Sequence, residues 1–375
     1  MNRRELLAGA AGSAVAAAFA GCAARQPRQS GSALYRGERR FARVHASPAR
    51  VIRTVAGLRP FRPSGFVVKA EKFDSKTVVH NYGHGGGGMS LSWGTAQIAV
   101  EEAVKTGQTR FAVLGSGGVG LATACLLQRR GFDVTIYAKD LPPHTTSNIS
   151  GALWGPVEVS DHDKTTPEYR EQFARAARLS HRYFQELVGD YYGVRWIEIY
   201  ALSDEAPVNS SSTGSQSSIR DLYPDMRTLS AGGHPFAAPY VRRYSSMLIE
   251  PPVYLNAVMR DFLLAGGRIV IREFDSVQAV LALPEQVILN CTGLGAGTIF
   301  HDEELMPIKG QLSILLPQPE IDYIALTDEY YMFPRKDGIL LGGTHERGVW
   351  TLEPNPAAAE RIIEAHVKIF GAMRL

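Results

Sequence analysis

The run Arg110-Phe-Ala-Val-Leu-Gly115-Ser-Gly117-Gly118-Val119-Gly120 constrains this chain more than any other stretch. Phe111 to Leu114 is continuously apolar, as a parallel strand buried on both faces must be. A tight glycine turn follows, then a helix-forming run to about Arg130, with Gly131 as its stop. Glycines at the first, third and sixth positions of a strand-to-helix turn bring backbone amides close to a pyrophosphate. Asp133 to Tyr137 reads as the second strand. Lys139 and Asp140 stand at its carboxyl end, about twenty residues beyond the turn, where a ribose partner belongs. Nucleotide binding therefore rests on Gly115, Gly117, Gly118, Val119, Gly120, Lys139 and Asp140.

This unit normally opens a chain, yet here it begins only after a hundred residues. Upstream lies a second glycine turn, His80-Asn-Tyr-Gly83-His84-Gly85-Gly86-Gly87-Gly88-Met89-Ser90. Small-residue loops recur at Thr145-Thr146-Ser147, at Gly151-Ala152-Leu153 and at Asn290-Cys-Thr292-Gly293. So many turns favour FAD over NAD, because FAD needs contacts along its whole length. The turn Gly85 to Ser90 would wrap the flavin end, and Phe274 joins the cofactor set.

Around these motifs the chain reads as α/β. Phe66 to Lys72 is a strand, Ser92 to Lys105 a helix, and Pro167 to Val188 a long amphipathic helix whose aromatic stripe faces a core. Asn209 to Ser218 is a Ser-rich loop. Pro252 to Leu264 is a helix, and Arg268 to Arg272 and Gln286 to Asn290 are further strands. Ile308 to Leu316, Tyr330 to Pro334 and Gly338 to Gly343 look like antiparallel strands, and Asn355-Pro356 opens a last helix. The expected division is a signal at 1–22, a tether at 23–47, FAD-binding segments at 80–160 and 251–305, and substrate-domain segments at 48–79, 161–250 and 306–375.

The amino terminus reads as an address. Arg3-Arg4 before an Ala-rich apolar run is the twin-arginine export pattern, and Phe19-Ala20-Gly21-Cys22 resembles a lipoprotein cleavage site. Export to the periplasmic or cell-envelope face follows, with a lipid anchor at Cys22. The 45% hydrophobic content supports a large core, and a net charge of +3 gives no reason to expect nucleic acid as a partner. Cys125 and Cys291 fall inside a helix and at a strand end, with neither disulfide nor metal-ligand spacing.

The order Leu114-Gly-Ser-Gly-Gly-Val-Gly, Thr145-Thr146, Leu153-Trp154, Asn290-Cys-Thr-Gly, Gly310-Gln311, Tyr331-Met-Phe-Pro334 and Gly342-Gly343 resembles the D-amino-acid oxidase family. So do Gly57-Leu-Arg-Pro-Phe-Arg62-Pro and the distinctive His80-Asn-Tyr-Gly-His-Gly-Gly. In that family the last two motifs close the chain, so the resemblance implies a circular permutation whose seam is the short link Thr106 to Thr109. It also implies a Rossmann-like FAD-binding domain and an α+β substrate domain with a mixed, mainly antiparallel sheet. Arg62 would grip the substrate carboxylate, Tyr331 would share it, and the Gly86 carbonyl would accept from the substrate amine. The implied reaction takes a D-amino acid, glycine or an N-methyl amino acid to an imine by hydride transfer to flavin N5, without a side-chain base. Oxygen would return peroxide. Alternatives are a dehydrogenase feeding a membrane quinone and a flavin-binding protein without turnover; a homodimer is allowed. His80 and His84 read as structural. The Thr327–Tyr331 connection is shorter than the family's lid, and Lys139 stands where some relatives have an acid.

Overall fold

A computed structural model describes residues 40–206, 215–230 and 232–374. The signal, the anchor at Cys22, most of the tether, part of the Ser-rich loop and Leu375 lie outside these residues. Residues from Ala42 onward form one compact unit. The strands are β1 (Val51–Phe61), β2 (Val67–Phe73), β3 (Lys76–Tyr82), β4 (Arg110–Leu114), β5 (Asp133–Ala138), β6 (Val194–Ser203), β7 (Arg227–Leu229) and β8 (Tyr240–Ile249). After them come β9 (Arg268–Ile271), β10 (Val287–Asn290), β11 (Met306–Leu315), β12 (Tyr323–Leu326), β13 (Tyr331–Arg335), β14 (Gly338–Gly342) and β15 (Glu346–Arg347).

One sheet has the order β2-β3-β10-β4-β5-β9. It is parallel from β3 to β9, and β2 is an antiparallel edge. Phe111, Val113 and Leu114 of β4 are fully buried, as their unbroken apolar run requires. The second sheet runs β1-β11-β14-β13-β12-β6-β8-β7 with β15 on β11, antiparallel except where β12 meets β6. This is the Rossmann-like domain with a mainly antiparallel companion that the sequence implied. β1, an edge strand, pairs with β11 from Val51↔Leu315 to Phe61↔Met306. Its edge position tolerates Pro60, which has no amide to donate.

Close packing among the helices that lie on the parallel sheet rests on missing side chains. The helix Gly88–Val104 lies against the fingerprint helix Gly118–Gln128 and the long helix Pro167–Glu186. At Gly94 a Cβ would stand 1.8 Å from the Ala176 carbonyl oxygen. Trp93, buried in this layer, donates its indole N–H to Tyr254 at 2.6 Å. Burial of a large apolar side chain of this kind is worth about 1.5–3 kcal/mol. Cys125 and Cys291 are buried free thiols, each pushed up to about 12 by burial.

The tether ends earlier than Ser47. The Ala42 carbonyl accepts from the Tyr323 hydroxyl at 2.9 Å, and the His45 amide donates to Gln318 at 2.8 Å. Val44 is buried, so an apolar side chain inside a polar stretch fixes the segment. Arg43 Nη2 donates to the Met373 carbonyl at 2.7 Å, so the start of the folded unit lies beside its end.

Candidate active site

Neighbouring strands deliver their carboxyl ends to one edge of the parallel sheet. His80 of β3, Asn290 of β10, Leu114 of β4 and Tyr137 of β5 lie side by side in register. The turns that follow them therefore share that edge. From β4 the sheet grows outward to β5 and β9, while β10 lies on the other side of β4. The crevice at β4 and β10 is thus the switch point where open α/β sheets bind ligands.

The fingerprint glycines have separate geometric reasons. Gly115 has φ +99°, and a Cβ there would lie 2.5 Å from the Cys291 carbonyl oxygen, next to Thr292 and Gly293. Gly120 packs the helix onto the turn, with a Cβ position 2.1 Å from the Gly115 carbonyl oxygen. Gly117 meets only the Ser147 hydroxyl, 3.0 Å away, so its backbone is open to a ligand. Ser147 Oγ accepts the Gly118 amide N–H at 3.0 Å, the place a phosphate oxygen would take. Val119 begins the helix behind this amide. A cradle that side chains would fill, at the N-terminus of a helix, fits the pyrophosphate of FAD.

The upstream turn reaches the same cradle. The Met89 sulfur lies 2.7 Å from where a Gly118 Cβ would be. Ser90 Oγ donates to the Leu153 carbonyl at 3.2 Å and accepts the Gly155 N–H at 3.1 Å, tying Gly151-Ala152-Leu153 to this turn. Gly85, Gly86 and Gly87 press on residues 157–159, and Gly88 opens the helix. Ser116 Oγ donates to the Asp140 carbonyl at 2.5 Å, linking the fingerprint to the ribose position. Lys139 is exposed and lies 3.5 Å from Glu273. Thr145 donates to Asn148 at 2.8 Å, and Thr146 begins the short helix Thr146–Ile149. Phe274 packs on Tyr137 and under Arg272, a contact that already gives it a structural reason.

Arg62 does not meet the expectation made for it. Its Nε donates to Asp302 at 2.8 Å, Nη1 to Ser64 Oγ at 2.8 Å and to the Gly65 carbonyl at 2.7 Å, and Nη2 to Glu304 at 2.6 Å. Every nitrogen of its fork is engaged, and it lines a groove of about 650 Å³ with Tyr82, Tyr169 and Phe300. The reason is that β1 ends at Phe61, so Arg62 lies beyond the strand while Arg59 sits inside it. Side chains alternate across a strand, so residues two apart share a face. Arg59 points with Gly57 and Phe61, whose neighbours are Ile149 and the Gly85 turn.

Arg59 lies over Gly310 of β11, where a Cβ would come within 2.6 Å of its guanidinium. Its charge acts on the Tyr331 hydroxyl, opposing the effect of burial there. Otherwise it is loosely held, with Nη1 3.5 Å from Glu158 Oε2 and from the Thr344 carbonyl. Tyr331 stacks on Phe333 at 4.9 Å and lies over Gly342; burial pushes its hydroxyl pKa up. Glu158 accepts from His345 Nδ1 at 2.7 Å, and its own carbonyl accepts the Gly86 N–H at 3.1 Å. Burial opposes its ionisation, but the bond from His345 and the charges of Arg59 and Arg347 hold its carboxyl below the usual range. Glu158 adopts φ +49°, an uncommon conformation for a side-chain-bearing residue. Arg59, Glu158 and His345 are thus candidate site residues that motif reading missed. Parity along β1 could have revealed Arg59; no motif marks the other two.

Tyr330 turns away. Thr327 and Tyr330 close a hydrogen-bonded turn between β12 and β13, and the Tyr330 ring packs on His366 at 5.8 Å. His80 and His84 are buried and bonded to Asn290 and Thr95. Burial pushes His84 down to about 3. A folded-state value below the ordinary 6.5 means the unfolded chain takes the proton first as pH falls. The contribution is therefore complete above pH 6.5 and is lost toward pH 3. Between pH 6.5 and 5 this loss amounts to about 2 kcal/mol. Urea unfolding of the native chain and of His84→Gln at both pH values checks it; an equal pH dependence in the two chains would contradict it.

A parallel sheet with phosphate-cradling glycine turns on its carboxyl edge, beside a second sheet that supplies an arginine–tyrosine pair, defines a two-domain flavoprotein oxidoreductase. The chain belongs to the DAO family of FAD-dependent oxidoreductases, whose model matches residues 5–102 and 110–374. It is an enzyme of the D-amino-acid oxidase type with FAD as its cofactor. It is 32% identical over 266 residues to a D-amino-acid oxidase of Rubrobacter xylanophilus, covering 68% of this chain and 75% of that one. It is 26% identical over 279 residues to a D-amino acid oxidase of Dugesia ryukyuensis, covering 70% and 78%. Among solved structures, iminodiacetate oxidase from a Chelativorans species aligns with TM-score 0.53 and 18% identity, over 70% of this chain and 79% of that one. Glycine oxidase from Bacillus cereus aligns with TM-score 0.53 and 15% identity, over 71% and 79%. These last two share the fold.

Proposed function

We propose that this enzyme oxidises the carbon–nitrogen bond of a D-amino acid, or of a close relative such as glycine or an N-methyl amino acid, to an imine that water hydrolyses to oxo acid and ammonia. The observation that carries the reading is the Arg59–Tyr331 pair, tied to the Gly85–Ser90 turn through Glu158. A guanidinium fork and a phenol hydroxyl together offer a carboxylate two charge-assisted bonds and a third neutral one. The names of the curated relatives support the same substrate class. FAD, when bound, supplies the hydride acceptor. Gly115 to Gly120 with Ser147 would hold its pyrophosphate, Asp140 its ribose and Gly85 to Ser90 its flavin end.

The chain's own part is positioning. Arg59 and Tyr331 fix the carboxylate, and the Gly86 carbonyl would accept from the amine, so the α-hydrogen is aimed and rate comes from orientation. Tyr331, held protonated by burial, acts as a hydrogen-bond donor. Flavin absorbance under anaerobic conditions tests the reading: D-amino acids should bleach it, and failure of the whole panel while other amines succeed would refute it. The acceptor reading favoured here is oxygen. A membrane quinone is the rival, motivated by the lipoprotein-type Cys22, and peroxide yield with and without a quinone analogue separates them.

The same reading takes the chain as exported, lipid-anchored and circularly permuted. The family match in two segments that part at the link before Arg110 supports permutation. So do relatives that align over a length close to the second segment alone, and the Arg43–Met373 contact. A chain rearranged to begin at Arg110 and to carry residues 42–105 after Arg374 should then fold and bind FAD; a chain that does neither counts against it. Export and anchoring rest on Arg3-Arg4 and Cys22, and a Cys22→Ser protein that stayed in the membrane fraction would refute the anchor.

A further inference from the structure

We propose that Glu158 selects substrates with a second, cationic group on the side chain, so that D-amino acids with basic side chains are the preferred class. The inference rests on the carboxylate-gripping role of Arg59 and deepens it. Four charged side chains lie near one another beside β1. Arg59 lies 3.5 Å from Glu158, and Arg347 is bound to Asp161 by two contacts of 2.6 and 3.0 Å. Two cations thus face two anions, with the His345 imidazole on Glu158.

A bound substrate changes this balance. Its carboxylate takes the Arg59 fork, and its amine is neutral when the α-carbon gives up hydride, so the site gains one negative charge. Glu158 loses its share of Arg59 and keeps only the His345 imidazole and the more distant charge of Arg347, which is bound to Asp161. A carboxylate deprived of its nearest full charge in a partly buried site is costly. A cationic side chain on the substrate restores the partner; an apolar one of equal length does not.

Glu158 is built to stay and receive it. Its carbonyl is pinned by the Gly86 N–H, its backbone is held in the left-handed region, and His345 fixes one carboxylate oxygen. Its other oxygen, Oε2, is buried without a hydrogen-bond partner, so it is left for a cation that enters with the substrate. An anionic side chain would instead meet Glu158 head on, which disfavours acidic D-amino acids.

The test pairs ligands that differ only in the distal charge. In the FAD-loaded enzyme, D-ornithine and D-lysine should show kcat/KM roughly tenfold or more above D-norvaline and D-norleucine, as a charge-assisted bond implies. Equilibrium dialysis gives a readout without turnover: 6-aminohexanoate should bind roughly tenfold tighter than hexanoate. In Glu158→Gln both ratios should fall toward one. Equal binding of the two acids to the native enzyme, or unchanged ratios in Glu158→Gln, would overturn the proposal. If D-norleucine is oxidised without any preference for D-lysine, only this inference falls. If no D-amino acid bleaches the flavin, the functional reading falls and takes it along.

Discussion

Replacing Arg59 by leucine should lower kcat/KM for carboxylate-bearing substrates by two to three orders of magnitude, about 2–5 kcal/mol for one partner of a buried charge pair. Tyr331→Phe should cost much less, about 0.5–1.5 kcal/mol, because it removes one neutral donor. Arg62→Ala should behave in the opposite way. It leaves Asp302, 11% exposed, beside Glu304 without their shared cation, and should destabilise the fold by about 3–5 kcal/mol. Protein that still folds should keep most of its kcat/KM. Steady-state kinetics and thermal unfolding on the two arginine variants decide the matter. If Arg62→Ala lost carboxylate affinity while Arg59→Leu kept it, the roles would be reversed.

The fingerprint glycines allow a second large contrast. Gly120→Val places atoms where only 2.1 Å separates a Cβ from the Gly115 carbonyl oxygen, so turn and helix must part. Overpacking of this kind costs about 1–3 kcal/mol and takes the cradle with it. Gly117→Ala meets nothing closer than a hydroxyl at 3.0 Å that can rotate away. The apoprotein should therefore keep its stability while the added methyl intrudes on the pyrophosphate. The expected result is a folded chain with a flavin-to-protein ratio near zero for Gly117→Ala, and an unstable one for Gly120→Val. Full FAD loading of Gly117→Ala would remove this turn from the cofactor site.

Local motifs made the nucleotide half legible. β4, its turn and its helix fall within about two residues of the sequence reading, because an all-apolar strand and a glycine stop need no distant partner to be recognised. β1, β3 and β6 were not read as strands. β1 carries Arg53, Arg59 and Pro60, and its apolar positions make sense only against β11, some 250 residues away. The arginine pair shows the same limit at the scale of one motif. Each arginine is followed by a proline in the same motif, but which of them faces the site depends on the strand that contains Arg59 and ends just before Arg62. Glu158 lies in a loop whose importance comes from a positive φ and from what β1 and β11 bring to it; neither is written locally.

The long pairings carry a consequence for how the protein is made. β1 finds its partner only at β11, and β3 finds its parallel neighbour only at β10, so both sheets stay open until residues 287–315 have been synthesised. Contacts of such sequence separation slow folding and keep strand edges exposed meanwhile. The nascent amino-terminal third must wait, with the β2–β3 hairpin open along the far edge of a hydrophobic β3. Truncation anywhere before β11 should therefore yield aggregated chains, with no autonomous fragment to recover.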